Sequence, residues 1–285
     1  YATGAAPDPA PDFYAVHDLP VRPAAPPEPA VLARGRAAVE RVRDLLARPV
    51  QLAPDGVDDD AAFGFHLVCL PVELTQRVVD VGQPGVSRSV LLAFLHLAIG
   101  RWNREHGRSG GRVGVLVPIN LRPSEWPEEA VGNFSVTARV STDRRERRDH
   151  DAALKAVIAQ SVRNKRVRTG TALLAALQRY GLLPLWSKQS PVVLQPVTRN
   201  RLLDTALLAD AGPQQAPSFG PDAGETVHVW VSLPARSPLT LSIGAVTVCD
   251  RLHLVLRYPL RLFSDDAARR FADCLGKELA AAPAG

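Results

Sequence analysis

Apolar positions in this chain change period from stretch to stretch. Val113 to Ile119 is rich in β-branched residues, has no helical period, follows Gly110-Gly111 and carries Pro118 near its end, which predicts a strand. Phe134 to Val140 alternates apolar and polar residues and predicts a half-buried strand. Ala62 to Leu70 alternates as well, with Phe63, Phe65, Leu67 and Cys69 on one face and Gly64, His66 and Val68 on the other. Leu202 to Leu208 reads as a strand running into a sharp turn at Ala209-Asp-Ala-Gly-Pro. Three closing strands are expected at Thr226–Leu233, Leu239–Cys249 and Arg251–Tyr258, the last two forming a hairpin.

Helical spacing marks the segments between. Val31 to Arg48 has one apolar face. Pro71 opens a helix reaching about Val81, with Glu73 near its positive end. Ser87 or Ser89 caps a longer helix, Val90 to about Glu105, whose Leu91, Leu92, Leu95, Ala98, Ile99 and Trp102 point inward. Further helices are expected at Ala152–Arg168, Thr169–Tyr180 and after Ser264, where Phe271, Cys274, Leu275 and Leu279 share the buried side. Leu182–Lys188 reads as a short apolar helix or turn. Before all of these, Tyr1 to about Ala30 is so rich in proline that it reads as linker or extended chain. The division is thus 1–62, a Pro-rich linker and helix, and 63–285, a lobe of mixed strands and helices.

At 285 residues and 46% apolar composition the chain has enough material for a substantial core. The charge is mildly basic, 34 Lys and Arg against 29 Asp and Glu, which suits an anionic ligand or acidic partner without requiring one. Aromatics are only 6% and not interleaved with the basic runs, which argues against a nucleic-acid groove. The run Asp143–Asp151 reads as a solvated turn. Lys155, Arg163, Lys165, Arg166 and Arg168 form a basic helix face, read either as solvent surface or as a landing patch for an acidic carrier protein or coenzyme A phosphates. No apolar run is long enough to span a bilayer as a helix, and no signal peptide is visible. Cys69, Cys249 and Cys274 have no ligand spacing and sit in apolar runs, so they are expected to be buried free thiols in a reducing, cytoplasmic setting.

Complete catalytic signatures are absent. There is no G-x-S-x-G, no H-E-x-x-H and no phosphate-binding glycine loop. The seven histidines are dispersed and show no metal-ligand spacing. His66 reads as a satisfied or exposed strand residue and His96 as a core-edge residue.

One stretch carries more. Pro118-Ile-Asn-Leu-Arg-Pro followed by Val131-Gly-Asn resembles the middle of the condensation-domain superfamily, which has the chloramphenicol acetyltransferase-like fold. Leu241-Ser-Ile-Gly is similar to a strand of that superfamily, and the closing hairpin, Asp-Asp-Ala cap and last helix resemble its usual end. The resemblance implies an α/β, α+β sandwich: a mixed sheet with flanking helices, mainly the C-terminal half of a two-lobed fold. It implies transfer of an acyl group from a CoA or carrier-protein thioester to a small alcohol or amine. Acyl-CoA or acyl-phosphopantetheine would be the co-substrate, with no covalently bound cofactor and no metal; lipid substrates would add peripheral membrane contact. The superfamily's general base is the second His of H-H-x-x-x-D-G, which this sequence lacks. Tyr1-Ala-Thr-Gly resembles the tail of the helix after that motif, so the chain is expected to be a fragment, inactive alone.

The resemblance also implies site residues. Arg122 matches the arginine whose fork holds the motif's Asp and so fixes the catalytic loop. Asn133, after Gly132, matches a tunnel-lining turn position. Ala209-Asp210-Ala-Gly212 stands where the family has Ser-Asn-x-Gly, so the hydroxyl that would support an oxyanion is missing. Gly244 matches a glycine that lets a ligand or a neighbouring backbone approach. Arg88-Ser89 departs from the Asn-Asp of the wax ester synthase branch. Two other readings stand beside the enzyme: a non-catalytic member that binds an acyl group or carrier protein, and a basic protein-interaction module.

Overall fold

The computed structural model describes residues 49–55, 62–80, 87–108, 110–120, 135–166, 184, 204–220, 222, 224–235 and 239–281. The expected helices at 31–48 and 169–180, the segment 182–188 apart from Pro184, and the loop between the two central strands lie outside these residues.

The described elements are β1 (Phe63–Cys69), α1 (Val72–Asp80), α2 (Ser87–Glu105), β2 (Val113–Asn120), β3 (Ser135–Thr142), α3 (His150–Arg166), β4 (Ala206–Pro213), β5 (Leu241–Val248), β6 (Arg251–Pro259) and α4 (Asp265–Ala280). Six strands make one mixed sheet in the order β1-β6-β5-β4-β2-β3. The β4 pairings with β2 and β5 are parallel; the rest are antiparallel. β5 and β6 meet through Cys249-Asp250, both at positive φ, the two-residue turn whose twist matches a hairpin.

Side-chain alternation gives the sheet two unlike faces. Val113, Val115, Val140, Ala206, Leu208, Leu241, Ile243, Ala245, Leu252, Leu254, Leu256 and Tyr258 belong to the core that the helices cover. Helix α2 lies at the centre of that cover, packed on α3, α4 and the sheet. Every described side chain from Ser89 to Gly100 is buried, so α2 is not the one-sided amphipath its spacing predicts. Ser89 is correspondingly inside the helix, its hydroxyl donating to Ser161 Oγ at 3.4 Å rather than capping. Glu278 of α4 ties three helices together, meeting Arg101 of α2 and His150 of α3 at 3.0 Å each. The segment before β1 is held from α2: Asn103 Oδ1 accepts the Ala53 N–H at 2.7 Å, and Trp102 Nε1 donates to the Ala53 carbonyl at 3.0 Å.

Three sequence expectations need correction. The strand expected at 202–208 is Ala206–Pro213 instead, because the presumed turn is a bulged continuation of β4. Residues 226–233 form no ladder; 224–235 is an irregular strap lying on the sheet face away from the helices. The Asp143–Asp151 run is not all solvated. Arg147 is 7% exposed, and its guanidinium donates to the carbonyl of Thr142, to Thr142 Oγ1 at 3.1 Å and to Gly111 O at 2.9 Å.

Next to it, His96 is fully buried in α2, with Nδ1 2.7 Å from Thr142 Oγ1 and Nε2 without a hydrogen-bond partner among the described residues. Burial, and then the charge of Arg147, lower its pKa to about 3. The folded state therefore refuses a proton that the unfolded state takes up below the ordinary histidine value of about 6.5. The stability that a neutral His96 contributes is present above that value and is lost as pH falls towards 3. Between pH 7 and pH 5 this amounts to about 2 kcal/mol. Denaturant unfolding of His96→Leu at both pH values should show that much less loss than the parent protein.

Candidate functional site

Of the residues expected at a site, Arg122 and Asn133 lie outside the described residues. Asp210, Gly212 and Gly244 come together where β4 runs beside β5. Ala209 pairs with Gly244 and Asp210 with Ala245. The Asp210 carboxylate turns back on its own backbone, with Oδ1 accepting the Gly212 N–H at 2.8 Å. Gly212 sits at φ 70°, the left-handed conformation a bulge of this kind asks for. Here Asp210 shapes the strand end, and Ala209 offers no hydroxyl to an oxyanion.

Gly244 faces the strap. A methyl group there would overlap the carbonyl oxygen of Val231 and lie 2.9 Å from its carbon. Of the two partners its sequence position allowed, a ligand or a neighbouring backbone, the structure supplies the backbone.

Sequence reading missed a largely buried ion pair on this face. Arg139 of β3 holds Asp204, just before β4, through Nε to Oδ1 and through Nη2 to Oδ2 at 3.3 Å. Both side chains are largely buried, at 12% and 9% exposure. Burial raises the Asp204 pKa and the guanidinium works against that rise. Around the pair, Thr205 Oγ1 donates to Val50 O at 2.6 Å and accepts the Gly114 N–H at 3.1 Å. The entrance to β4 is thereby locked to β2 and to the segment before β1. The signal in the sequence was an arginine inside an alternating strand, legible only once a carboxylate 65 residues later is known to face it.

A second group also escaped the sequence reading. Cys69 at the end of β1, His253 on β6 and His228 on the strap converge on the same face. Cys69 Sγ lies 3.6 Å from His253 Nε2, and His228 Nδ1 lies 2.9 Å from that same nitrogen. His253 Nδ1 is 3.0 Å from the Arg251 carbonyl. Burial, ahead of all other influences, lowers the His253 pKa. Trp230 packs edge-on against His253 with ring centres 4.9 Å apart. The expectation of three buried thiols holds only for Cys274; Cys69 is half-buried and Cys249 is exposed at the hairpin turn.

Elsewhere the surface is less pointed. On α3, Lys155 and Arg163 are exposed. On β1 it is Phe63, Phe65 and Leu67 that face outward, at 41%, 59% and 42% exposure, while Gly64 abuts the Tyr258 ring and Asp265 on the helix side. No described helix is long and apolar enough to cross a membrane.

No protein-family model matches the chain. It is 27% identical over 249 residues to uncharacterized protein Rv2305 of Mycobacterium tuberculosis, covering 85% of this chain and 57% of that one. The chain thus spans little more than half the length of the curated relatives it matches. Among solved structures, it resembles the epimerization domain from the third module of tyrocidine synthetase B, with TM-score 0.57, 19% identity and coverage of 87% and 54%. It also resembles trichothecene 15-O-acetyltransferase from Fusarium sporotrichioides, with TM-score 0.57, 12% identity and coverage of 86% and 51%. A condensation domain mediating chain release from the enacyloxin polyketide synthase gives TM-score 0.54, 17% identity and coverage of 88% and 48%. The chain has the condensation-domain, chloramphenicol acetyltransferase-like fold, as its central motif and closing elements led one to expect.

Proposed function

We propose that this chain is the C-terminal lobe of an acyltransferase or condensation enzyme, one that moves an acyl group from a CoA or carrier-protein thioester to an alcohol or amine. The observation that carries the reading is the shared sheet: 86% of the chain follows an acetyltransferase of which it spans 51%. A general base is supplied by a histidine outside this sequence, which deprotonates the acceptor as it attacks the thioester. Arg122 acts as a positioning residue, its fork holding the aspartate of the loop that carries this histidine. This lobe forms one wall of the substrate channel and, through Arg139-Asp204 and the strap, keeps that wall rigid.

A second reading has an observation of its own. With Ala209 in place of a hydroxyl and Asp210 folded onto Gly212, the strand end holds no oxyanion donor from those two side chains. A non-catalytic member that only binds an acyl-pantetheine arm fits that arrangement.

The test is acyl transfer from acyl-CoA and acyl-carrier protein by the chain extended upstream. Turnover is expected, falling roughly 10²- to 10⁴-fold when the second histidine of the upstream motif is changed to alanine. Thioester binding without turnover favours the second reading; neither binding nor turnover removes both.

A further inference from the structure

The geometry points to a transition-metal site formed by Cys69, His228 and His253, which takes Zn²⁺ or a cation of similar preference and pins the strap to the sheet. The three donor atoms come from β1, the strap and β6, and all lie within 4.8 Å of one another. Zinc ligation at about 2.0–2.1 Å from nitrogen and about 2.3 Å from sulfur, in a tetrahedron, separates sulfur and nitrogen by about 3.6 Å and two nitrogens by about 3.4 Å. The sulfur–nitrogen distance here is 3.6 Å and the nitrogen–nitrogen distance 2.9 Å. To meet that geometry the His228 ring has to move off His253 by roughly half an ångström and close on Cys69, from which its donor atom lies no more than 4.8 Å away. It is the exposed member of the three, on an irregular segment, and so the one able to move.

The arrangement around His253 supports ligation. Its Nδ1 lies 3.0 Å from the Arg251 carbonyl, an oxygen that only accepts, so Nδ1 carries the proton and Nε2 presents its lone pair to Cys69 and His228. Metal-bound histidines are commonly held in this way, the second nitrogen donating to a backbone carbonyl. Without a cation, His228 Nδ1–H donates to that lone pair. With a cation bound, His228 would take the other tautomer, its proton moving from Nδ1 to Nε2 so that the Nδ1 lone pair meets the metal, and Cys69 would enter as thiolate, releasing its proton to solvent. One sulfur and two imidazoles suit zinc and cobalt better than magnesium or calcium, which prefer oxygen. His253 is buried and Trp230 flanks it, while the His228 side is open, which leaves a fourth position for water or an exogenous ligand.

The consequence is mechanical. His228 lies three residues before Val231, whose carbonyl presses on Gly244. A metal bond at His228 would hold the strap on the sheet from a second point, independently of any acyl transfer.

The experiment is titration of the chelator-treated 285-residue chain with Co²⁺, followed by displacement with Zn²⁺. One equivalent of Co²⁺ is expected to give strong visible bands of four-coordinate cobalt and a thiolate-to-cobalt charge-transfer band. Zn²⁺ should raise the Tm. Cys69→Ser should abolish the charge-transfer band, and His228→Ala should weaken binding at least about tenfold, the least that losing even a supporting partner costs. Cys249→Ser, at the exposed thiol outside the cluster, should change neither. A pale octahedral spectrum, binding only at millimolar metal, or unchanged binding in Cys69→Ser would overturn the proposal.

Discussion

Arg139→Met is expected to destabilise the protein by about 3–5 kcal/mol at pH 7, read as a lower denaturant midpoint with unchanged slope. Both partners of the Arg139–Asp204 pair are largely buried, and the fork meets both carboxylate oxygens. Removing the guanidinium leaves a carboxylate inside the protein with its strongest donor gone, and that uncompensated charge is what costs most. The sign of the pH dependence follows. Burial already raises the Asp204 pKa, and losing Arg139 raises it further, because Arg139 is what lowers it. A carboxyl whose folded pKa lies above its unfolded value of about 3.9 penalises folding above the folded pKa, and the penalty fades as pH falls through it. The gap between variant and parent should therefore narrow as pH is lowered from 7 towards 4. Arg139→Met combined with Asp204→Leu should recover most of the loss, since replacing both members of a buried pair with apolar groups of similar size is often near neutral. A single-variant loss under about 1 kcal/mol at pH 7 would mean that water reaches the pair and the β4 entrance is not locked by it.

The contrast between what could and could not be read from the sequence follows from the range of the forces involved. Local periodicity placed β1, β2, β3, β5, β6 and the helices α1 to α4 within a few residues, because each must bury one face and its turn chemistry is written beside it. The Cys249-Asp250 hairpin and the Ser264 cap are of this kind; Ser264 Oγ accepts the Ala267 N–H at 3.1 Å. Which face of a strand lies inward is a different matter. Alternation in β1 marks two faces without saying that Phe65 is the outer one, since that depends on α4 lying against Gly64. The strap at 226–233 alternates like a strand, yet it crosses the sheet instead of joining its ladder, and period alone does not separate those outcomes. Pairings across long stretches of chain were invisible for the same reason. Arg139 finds Asp204 and Cys69 finds His253 only because the order β1-β6-β5-β4-β2-β3 sets β1 beside β6 and places β3 and β4 on either side of β2. The resemblance at residues 118–133 supplied the fold where periodicity stopped, but the residues it marked at Ala209-Asp210 had changed chemistry, and the structure shows the carboxylate serving its own turn.

Gly244→Ala is expected to cost about 3 kcal/mol, at the upper end for overpacking in a well-filled site. The added methyl would overlap the Val231 carbonyl oxygen, and the opposing atoms are backbone, not the end of a side chain that can rotate away. Strand β5 has little room to yield, because it is paired on both edges, parallel to β4 and antiparallel to β6. Relief has to come from the strap, which is held by no ladder of its own. Lifting Val231 also withdraws Leu233, whose Cγ lies 3.7 Å from the same position, so apolar cover over the sheet is lost along with the close backbone contact. Two measurements check this together: the denaturant midpoint, and the rate at which a protease cuts within 224–235, which should rise in the variant. A glycine kept for the approach of an acyl donor would give the opposite pattern. Gly244→Ala would then fold within about 0.5 kcal/mol of the parent, protect the strap equally well, and show its defect only as weaker donor binding by the extended chain. Loss of stability together with an exposed strap would establish that Gly244 serves the packing of this lobe, and that any substrate channel runs beyond the strap and not beneath it.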